Sequence, residues 1–368
     1  MNTTDRFPPA DQLPSLPELP DPFLRPDGKR ITAPSHWKAL REEWLARVLH
    51  YEYGHLPPAP RGVRAETASE ERAQGGIVRT EYRLHIEAPI ALQTRLLVLR
   101  PARAGKLPVI VDGDLCWGEP RAEIVQEATK RGYALAFFDR TQIAPDSAER
   151  TGVYEAYPDY DGGRLSAWAW GYHRVIDFLL TQPYVHSRRL AVTGHSRGGK
   201  TALLAGATDT RIALTAPNNS GCGGAGCYRY QAHGSETIAD ILRNFPYWFH
   251  ARFAQFIGKV DRLPFDQHIV KALVAPRALL STEALADLWA NPDGTQVTHL
   301  AAREVYRFLK AEQRIGIWFR EGEHAHTLTD WQALLNFADW HLLGKPPARA
   351  FDRLAFPVRA GLYSWRAP

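Results

Sequence analysis

Short apolar runs alternate along this sequence with longer segments in which apolar residues recur every three or four positions. The short runs are typical of buried strands, and the longer segments are typical of amphipathic helices. The pattern predicts strands at 77–86, 94–99, 107–111, 133–138, 190–193, 212–216, 278–282 and 315–319. It predicts helices at 36–51 (with Ser35 as N-cap), 121–131, 165–181, 200–207, 297–312 and 330–343, and helical, aromatic-rich sequence at 234–275.

Strands that alternate with helices favour a mostly parallel central sheet with helices on both faces, which is an α/β fold in three layers. The sequence has no internal repeat and no clear linker, so we expect a single domain over 1–368. Residues 1–35 are rich in proline and aspartate, and they predict an extended N-terminal arm over the surface of that domain.

Composition argues against several classes of function. The 368 residues carry a formal net charge of +5, but Lys and Arg are scattered, so no nucleic-acid partner is predicted. No apolar run is long enough to span a bilayer, and the first residues lack a signal-peptide pattern. We therefore expect no membrane partner and a cytoplasmic location, or a secreted or periplasmic one if a signal was removed. Three cysteines do not make a disulfide framework, and the oligomeric state is left open.

The strongest chemical signal is Gly-His-Ser-Arg-Gly at 194–198, between a predicted strand and a predicted helix. In this context G-x-S-x-G indicates a nucleophile elbow, a sharp turn that exposes a serine hydroxyl at the carboxyl edge of an α/β-hydrolase sheet. We therefore expect the α/β-hydrolase fold, with Ser196 as nucleophile and the backbone N–H of Arg197 as an oxyanion donor. A second donor is expected from loop 112–114 or from the Arg197 guanidinium.

The partners of the serine are expected after the last two strands, in the order serine, acid, histidine. Asp287 follows the last strand but one, with Glu283 as the alternative acid, and His324 and His326 follow the last strand. A histidine takes the serine proton, and a carboxylate orients the histidine and stabilises its charged form. The two histidines could instead bind a metal, but no third ligand has a suitable spacing, so no metal is predicted.

At these residues the chain resembles the glucuronoyl esterases, carbohydrate esterase family fifteen. The elbow Gly-His-Ser-Arg-Gly-Gly-Lys at 194–200 is similar to the family's G-C-S-R-x-G-K, and further matches follow in order over nearly the whole chain. They are Asn-Asn-Ser-Gly-Cys-Gly-Gly at 218–224, Leu-Pro-Phe-Asp-Gln-His at 263–268, Ala-Pro-Arg at 275–277, Asp-Leu-Trp at 287–289, Gly-Glu-His-Ala-His at 322–326 and Phe-Ala-Asp-Trp-His-Leu-Leu-Gly at 337–344.

The resemblance implies a serine esterase that needs no cofactor. Its substrate would be the ester between the 4-O-methyl-glucuronoyl group of xylan and a lignin alcohol. Ser196 would be the nucleophile and Arg197 the oxyanion donor, and Lys200, Glu236 and Trp289 would line the pocket for the uronate sugar.

The sequence departs from the fungal members of that family at two places. Their catalytic glutamate corresponds to Asn219, and an amide cannot supply the charge that stabilises an imidazolium. We therefore expect the acid at Asp287, as in bacterial members, with Glu283 as the fallback. Their elbow cysteine corresponds to His195, so the fungal disulfide cannot form here.

Two histidines compete for the role of base. The fungal spacing after the last strand favours His326, whereas bacterial members and the distance to the last helix favour His324, which we adopt.

Other functions fit the same residues. The protein could be an acetyl-xylan or other sugar-ester carboxylesterase, a peptidase of the same fold, or a catalytically inactive carbohydrate-binding homologue. An intact serine, acid and histidine argue against the inactive homologue.

Overall fold

The computed structural model describes residues 7–368, and its central feature over that range is a nine-stranded sheet. The strands stand in the order β1-β2-β3-β5-β4-β6-β7-β8-β9. Their bounds are β1 Val63–Ala73, β2 Ile77–Ile86, β3 Leu92–Pro101, β4 Leu107–Asp112, β5 Ala134–Phe138, β6 Val185–His195, β7 Leu214–Asn218, β8 Ala278–Ala284 and β9 Ile315–Arg320.

The six strands from β5 to β9 in the sheet order are parallel to one another, and β1, β2 and β3 form an antiparallel extension that joins the edge strand β5. The predicted mostly parallel sheet is confirmed. Because the carboxyl ends of parallel strands meet at one edge, the loops after β6, β7, β8 and β9 lie close together, which is where ligands bind in such sheets.

Helices cover both faces of the sheet, as predicted. Side chains alternate between the faces, so Val109 and Val111 of β4 belong to one buried apolar cluster and Ile110 belongs to the other. The helices within the described residues are α1 Trp37–Val48, α2 Ala122–Arg131, α3 Val153–Ala156, α4 Arg164–Leu179, α5 Arg197–Thr208, α6 Ile238–Asn244, α7 Gln267–Ala272, α8 Pro292–Phe308 and α9 Leu328–Leu343. Helices α2 and α9 pack on one face, and α1, α4, α5, α7 and α8 contribute to the other.

The segment 234–275 is less helical than predicted. Two short helices, α6 and α7, are separated by 3₁₀ turns at Ala251–Phe256 and Val260–Arg262. Pro246 and Pro264 interrupt the segment, and proline both lacks an N–H donor and disfavours a helical residue before it. Its aromatic residues therefore pack as a compact irregular cover rather than as long helices.

Two helix starts differ from the prediction. Ser35 lies inside a 3₁₀ turn, Pro34–His36, and no side chain caps the helix that follows, so the predicted Ser35 cap is wrong. Helix α8 begins earlier than predicted, because Pro292 occupies its first turn and the Asn291 side chain accepts a hydrogen bond from the Gly294 N–H at 2.9 Å.

Strand β1 was not predicted from the sequence. Its residues are polar, and almost all of them are exposed, so the strand gives no apolar alternation. It forms because its backbone pairs with β2 along nearly its whole length, and backbone pairing leaves no trace in hydropathy.

The N-terminal arm follows the surface from residue 7, and residues 1–6 of the predicted arm lie outside the described range. It is anchored by two buried apolar side chains, Leu19 and Phe23. The N–H of Leu16 donates to the carbonyl of Asp261 at 2.6 Å, and that of Leu19 donates to the carbonyl of Leu362 at 2.8 Å. The arm thus joins the two ends of the chain.

Two further features bear on the sequence predictions. From residue 7 to residue 368, no helix combines the length and the apolarity that crossing a membrane requires. All three cysteines lie in this range, and each is a free thiol: Cys222 and Cys227 are buried, and Cys116 is partly exposed. The prediction of no disulfide framework is confirmed.

Candidate active site

Ser196 stands on a strained turn between β6 and α5. Its backbone has φ 56° and ψ −119°, a left-handed conformation that a non-glycine residue rarely adopts, and its N–H donates to the carbonyl of Asn218 at 2.9 Å. A Cβ on Gly194 would lie 2.5 Å from the carbonyl oxygen of Gly198. The turn therefore requires a glycine at 194, and the predicted elbow, residues 194–198, is present.

The predicted acid and one predicted histidine meet across two loops. Nδ1 of His324 lies 2.5 Å from Oδ2 of Asp287, and this carboxylate oxygen accepts its hydrogen bond. Asp287 is buried, whereas the His324 side chain is 42% exposed. The other carboxylate oxygen accepts from the Ala290 N–H at 3.3 Å, so the carboxylate is held at both ends. This arrangement can fix the tautomer of His324, with the hydrogen on Nδ1.

A small cleft of about 200 Å³ collects most of the predicted site residues. Three predicted residues, Asp287, Glu283 and His326, are not among its lining residues. Asp287 is buried and is connected to the cleft through its hydrogen bond to His324. The lining residues are Ser196, Arg197, Lys200, Asn219, Gly221, Glu236, Phe245, Trp248, Trp289, Ala290 and His324.

The Arg197 side chain forms one wall of the cleft and is held from three sides. Its Nη1 donates to Oδ2 of Asp146 at 2.5 Å, and its guanidinium carbon lies 4.6 Å from the Trp248 ring centroid and 4.9 Å from that of Phe245. The other oxygen of Asp146 accepts from Trp248 Nε1 at 2.8 Å. Arg197 is therefore both a cleft residue and the partner of a carboxylate.

Loop 112–114 supplies no free amide for an oxyanion. The Gly113 N–H donates to the Tyr172 hydroxyl at 2.8 Å, and the Asp114 N–H donates to Oδ1 of Asp112 at 2.8 Å. The expectation of a second donor from this loop is wrong, because its amides are used to hold the loop itself. Asp114 instead accepts a hydrogen bond from the backbone N–H of His195 at 2.7 Å.

Lys200 and Glu236 form a buried pair of opposite charge inside the cleft. Nζ of Lys200 donates to the Ser220 carbonyl at 2.7 Å and lies 4.0 Å from Oε2 of Glu236. Burial lowers the pKa of the Lys200 amine and raises the pKa of the Glu236 carboxyl, while the attraction between the two opposes both shifts. Glu236 does not cap α6, because Thr237 accepts the capping hydrogen bond from the Asp240 N–H at 3.1 Å.

Trp289 stands at the rim of the cleft with about half of its surface exposed, at 47%. Its backbone carbonyl accepts a hydrogen bond from the Glu236 N–H at 3.1 Å, which joins this rim to the buried pair. An exposed indole face above a polar pocket suits the apolar face of a sugar ring.

Neither Asn219 nor Glu283 forms a hydrogen bond with His324 among the described residues. Oδ1 of Asn219 accepts from the Ala284 N–H at 2.9 Å, which ties β7 to β8 under the cleft. Glu283 is fully buried within β8, and neither of its carboxylate oxygens has a hydrogen-bond partner among the described residues. Burial raises the pKa of Glu283 well above its usual value, with Lys271 as the nearby cation that opposes the shift.

The alternative histidine lies behind the site. The ring of His326 stacks on Trp331 at 5.2 Å between centroids, and burial lowers its pKa well below the usual range. Of the two candidate histidines, only His324 lines the cleft and contacts a carboxylate of the predicted acid loop.

Three residues that contact Arg197 at the cleft were not predicted from the sequence: Asp146, Phe245 and Trp248. Phe245 and Trp248 lie in the aromatic-rich segment 234–275, so the composition of that segment was a usable signal. Asp146 follows β5 in a loop with no motif of its own, and only the folded chain brings it to Arg197.

A mostly parallel sheet with a serine on a strand-to-helix elbow, and an acid and a histidine after its last two strands, defines an α/β hydrolase. The family model described as "Glucuronyl esterase, fungi" matches residues 91–310. Carbohydrate esterase MZ0003, from an unknown prokaryotic organism, is 31% identical over 390 residues, which cover 89% of this chain and 90% of that protein.

Two further relatives are also glucuronoyl esterases by name. The 4-O-methyl-glucuronoyl methylesterase of Podospora anserina is 33% identical over 324 residues, which cover 84% of this chain and 64% of that protein. The solved glucuronoyl esterase of carbohydrate esterase family 15 from Caldicellulosiruptor kristjansonii superposes with a TM-score of 0.83 at 31% identity, covering 97% of this chain and 98% of that one. This chain belongs to the glucuronoyl esterase family, and it is a carboxylic ester hydrolase.

Proposed function

We propose that this protein hydrolyses 4-O-methyl-glucuronoyl esters, such as those that join xylan to lignin alcohols, through a triad of Ser196, His324 and Asp287. The observation that carries the proposal is the 2.5 Å contact between His324 and Asp287 at the cleft that Ser196 lines. The named relative from Podospora anserina supports the substrate class.

Ser196 begins the reaction. Its hydroxyl oxygen attacks the ester carbonyl carbon while Nε2 of His324 takes the hydroxyl proton. Asp287, hydrogen-bonded at Nδ1, stabilises the imidazolium that forms. The carbonyl oxygen becomes an oxyanion, which the backbone N–H of Arg197 at the start of α5 stabilises, with its guanidinium nearby.

Collapse of the tetrahedral intermediate breaks the bond to the alcohol oxygen, which receives the proton from His324. A water molecule then attacks the acyl-serine with His324 again as the base, and it releases the uronic acid and restores the Ser196 hydroxyl. No step needs a redox partner or a metal ion.

The cleft beyond the serine suits a polar sugar ring. Lys200 and Glu236 present a buried donor and acceptor to ring hydroxyls, and Trp289 offers an exposed aromatic face. This division of polar and apolar contacts supports a uronate in the acyl position rather than an aliphatic chain.

Hydrolysis of benzyl glucuronate beside para-nitrophenyl acetate tests the proposal. We expect Ser196→Ala and His324→Ala to lose at least about 10⁴-fold in kcat on the uronate ester, and Asp287→Asn to lose about 10³- to 10⁴-fold. Glu283→Gln is the matched control for the acid. Full activity in Asp287→Asn together with loss of activity in Glu283→Gln would identify Glu283, in β8, as the catalytic acid.

The same assay separates the alternatives. Turnover of acetate without the uronate ester would indicate an acetyl-xylan or other sugar-ester carboxylesterase. Absence of both, with no fluorophosphonate label on Ser196, would indicate an inactive carbohydrate-binding homologue. Fractionation of the source cells tests the expected cytoplasmic location, in which short oligosaccharide esters would replace polymeric xylan as the substrate.

A further inference from the structure

Two histidine rings lie against the ring of His195, beside the nucleophile. The ring of His195, the residue before Ser196, has its centroid 4.4 Å from that of His324 and 6.0 Å from that of His326. The Trp117 ring contacts the His195 ring edge to face at 6.0 Å. His195 is therefore the residue that joins the elbow to the side chain of the candidate base.

His195 is itself fixed from two directions. Its Nδ1 lies 2.6 Å from Oδ1 of Asn218, whose amide nitrogen donates to Oγ1 of Thr282 at 2.9 Å. Its backbone N–H donates to Asp114. An amide oxygen can only accept, so Nδ1 carries the hydrogen, and neither the strand nor the ring is free to turn.

The His324 side chain needs more than one contact to hold its orientation. Residues 321–325 are exposed, and among the described residues the His324 ring has one hydrogen bond, to Asp287. A ring held at one nitrogen can still rotate about that bond, which would swing Nε2 away from the serine. A neighbouring ring at van der Waals distance removes that freedom.

We propose that His195 is a positioning residue for His324: its anchored ring is the surface against which the imidazole packs, so that Nε2 faces Ser196. This inference rests on the proposed function. The order of contacts is Thr282 to Asn218, Asn218 to His195, and His195 to His324.

The charge of His195 also suits this position. Burial, and the neighbouring His324, lower the pKa of His195 to about 4. The ring is therefore neutral at pH 7, and it does not repel the imidazolium that forms on His324 during turnover.

Replacement of the ring tests the proposal. We expect His195→Ala to lower kcat on benzyl glucuronate on the order of 10- to 100-fold with little change in KM, because a misplaced base slows chemistry more than binding. His195→Phe restores a ring of similar size and is expected to recover most of that loss. His186→Ala, at the opposite end of β6, is the matched control and should keep the wild-type rate.

Three outcomes would overturn the proposal. They are an unchanged kcat in His195→Ala, a rise of KM with unchanged kcat, and a loss that His195→Phe does not recover while the variant melts at a lower temperature. The last result would mean that His195 only stabilises the fold.

A second measurement separates this proposal from the proposed function. In Ser196→Ala protein with nitrogen-labelled histidines, the His324 ring should show one tautomer, with the hydrogen on Nδ1. Adding His195→Ala should broaden the His324 ring signals through exchange between ring orientations, while Asp287 keeps the hydrogen on Nδ1. An unchanged spectrum overturns the positioning role even if the protein hydrolyses none of the esters tested, and a broadened spectrum supports it in that case too.

Discussion

The elbow around Ser196 and the histidine loop, residues 321–327, meet at one cleft but are held by different kinds of contact. The elbow is fixed by its own backbone. Ser196 has a positive φ of 56°, Gly194 allows the backbone of Gly198 to come close, and helix α5 begins at Arg197. The histidine loop is mostly exposed, and side chains hold it: Arg320 directly before it, and Asp287 and His195 from other parts of the fold.

Arg320 shows how the histidine loop is held. Its guanidinium donates to the carbonyls of Glu321, Glu323 and Ala325, and its Nε donates to Oδ2 of Asp330 at 2.7 Å. Arg320 and its partners are close in sequence, as the residues of the elbow are, whereas Asp287 and His195 reach His324 only in the folded chain. The nucleophile is therefore the more rigid half of the site, and the base is the more vulnerable one.

Removal of the arginine gives the largest expected effect. Arg320→Ala leaves the buried Asp330 without its cation, and loss of one partner of a buried pair costs about 3–5 kcal/mol in free energy of unfolding. Urea unfolding measures this cost, and the exposed Arg353→Ala is the control. An unfolding free energy equal to that of wild type would show that the loop does not depend on this arginine.

Adding a methyl group to the elbow, by Gly194→Ala, is expected to have the second-largest effect. The Cβ of Gly194→Ala would meet the Gly198 backbone at 2.5 Å, and we expect a loss of about 1–3 kcal/mol in the free energy of unfolding, with slower labelling of Ser196 by a fluorophosphonate. In Gly62→Ala the new Cβ meets only the end of the Glu87 side chain at 3.0 Å, which can move aside. Equal effects in the two variants would mean that the elbow is not tightly packed.

Removing the charge that holds Arg197 in the cleft is expected to have a smaller effect. Asp146→Asn removes the charge that holds Arg197 but leaves an oxygen for the Trp248 indole. We expect kcat on benzyl glucuronate to fall roughly tenfold, about 1.4 kcal/mol, with little change in stability. The exposed Asp159→Asn is the control. A fall in melting temperature without a fall in kcat would assign Asp146 to the fold alone.

The smallest expected effect is a change in how steeply the free energy of unfolding varies with pH. Burial raises the pKa of Glu236 above its usual 4.5, so the folded protein binds this proton more tightly than the unfolded chain does. That contribution to stability is complete below pH 4.5 and is lost as pH rises through the folded-state pKa. Relative to Glu236→Gln, the wild type should lose stability with rising pH above 4.5, by at most about 1.4 kcal/mol per pH unit. If the curves of unfolding free energy against pH for the wild type and Glu236→Gln run parallel, they contradict the raised pKa of Glu236.

The same contrast explains what the sequence could predict. Apolar runs predicted eight of the nine strands in the described range, because burial leaves a pattern in hydropathy. Ser196 was predictable because an elbow is specified within five residues. The exposed strand β1 was missed, since it depends on pairing rather than on burial.

Most contacts between residues far apart in the chain could not be predicted from the sequence. The order of motifs predicted that Asp287 and His324 would meet, but no local pattern distinguishes a loop amide that is free from one already bonded, as at Gly113. Nor does any pattern connect Asp146 to Arg197, or the ring of His195 to that of His324.

The free cysteines of this fold have a consequence for its chemistry with oxidants. Burial raises the pKa of the Cys222 and Cys227 thiols well above the usual value and that of Cys116 to about 12. The thiolate is the form that reacts with peroxides and disulfides, and at neutral pH these three side chains are almost entirely protonated. Because the elbow has a histidine where a bridging cysteine would need oxidation, the cleft can keep its shape in reducing and in oxidising surroundings alike.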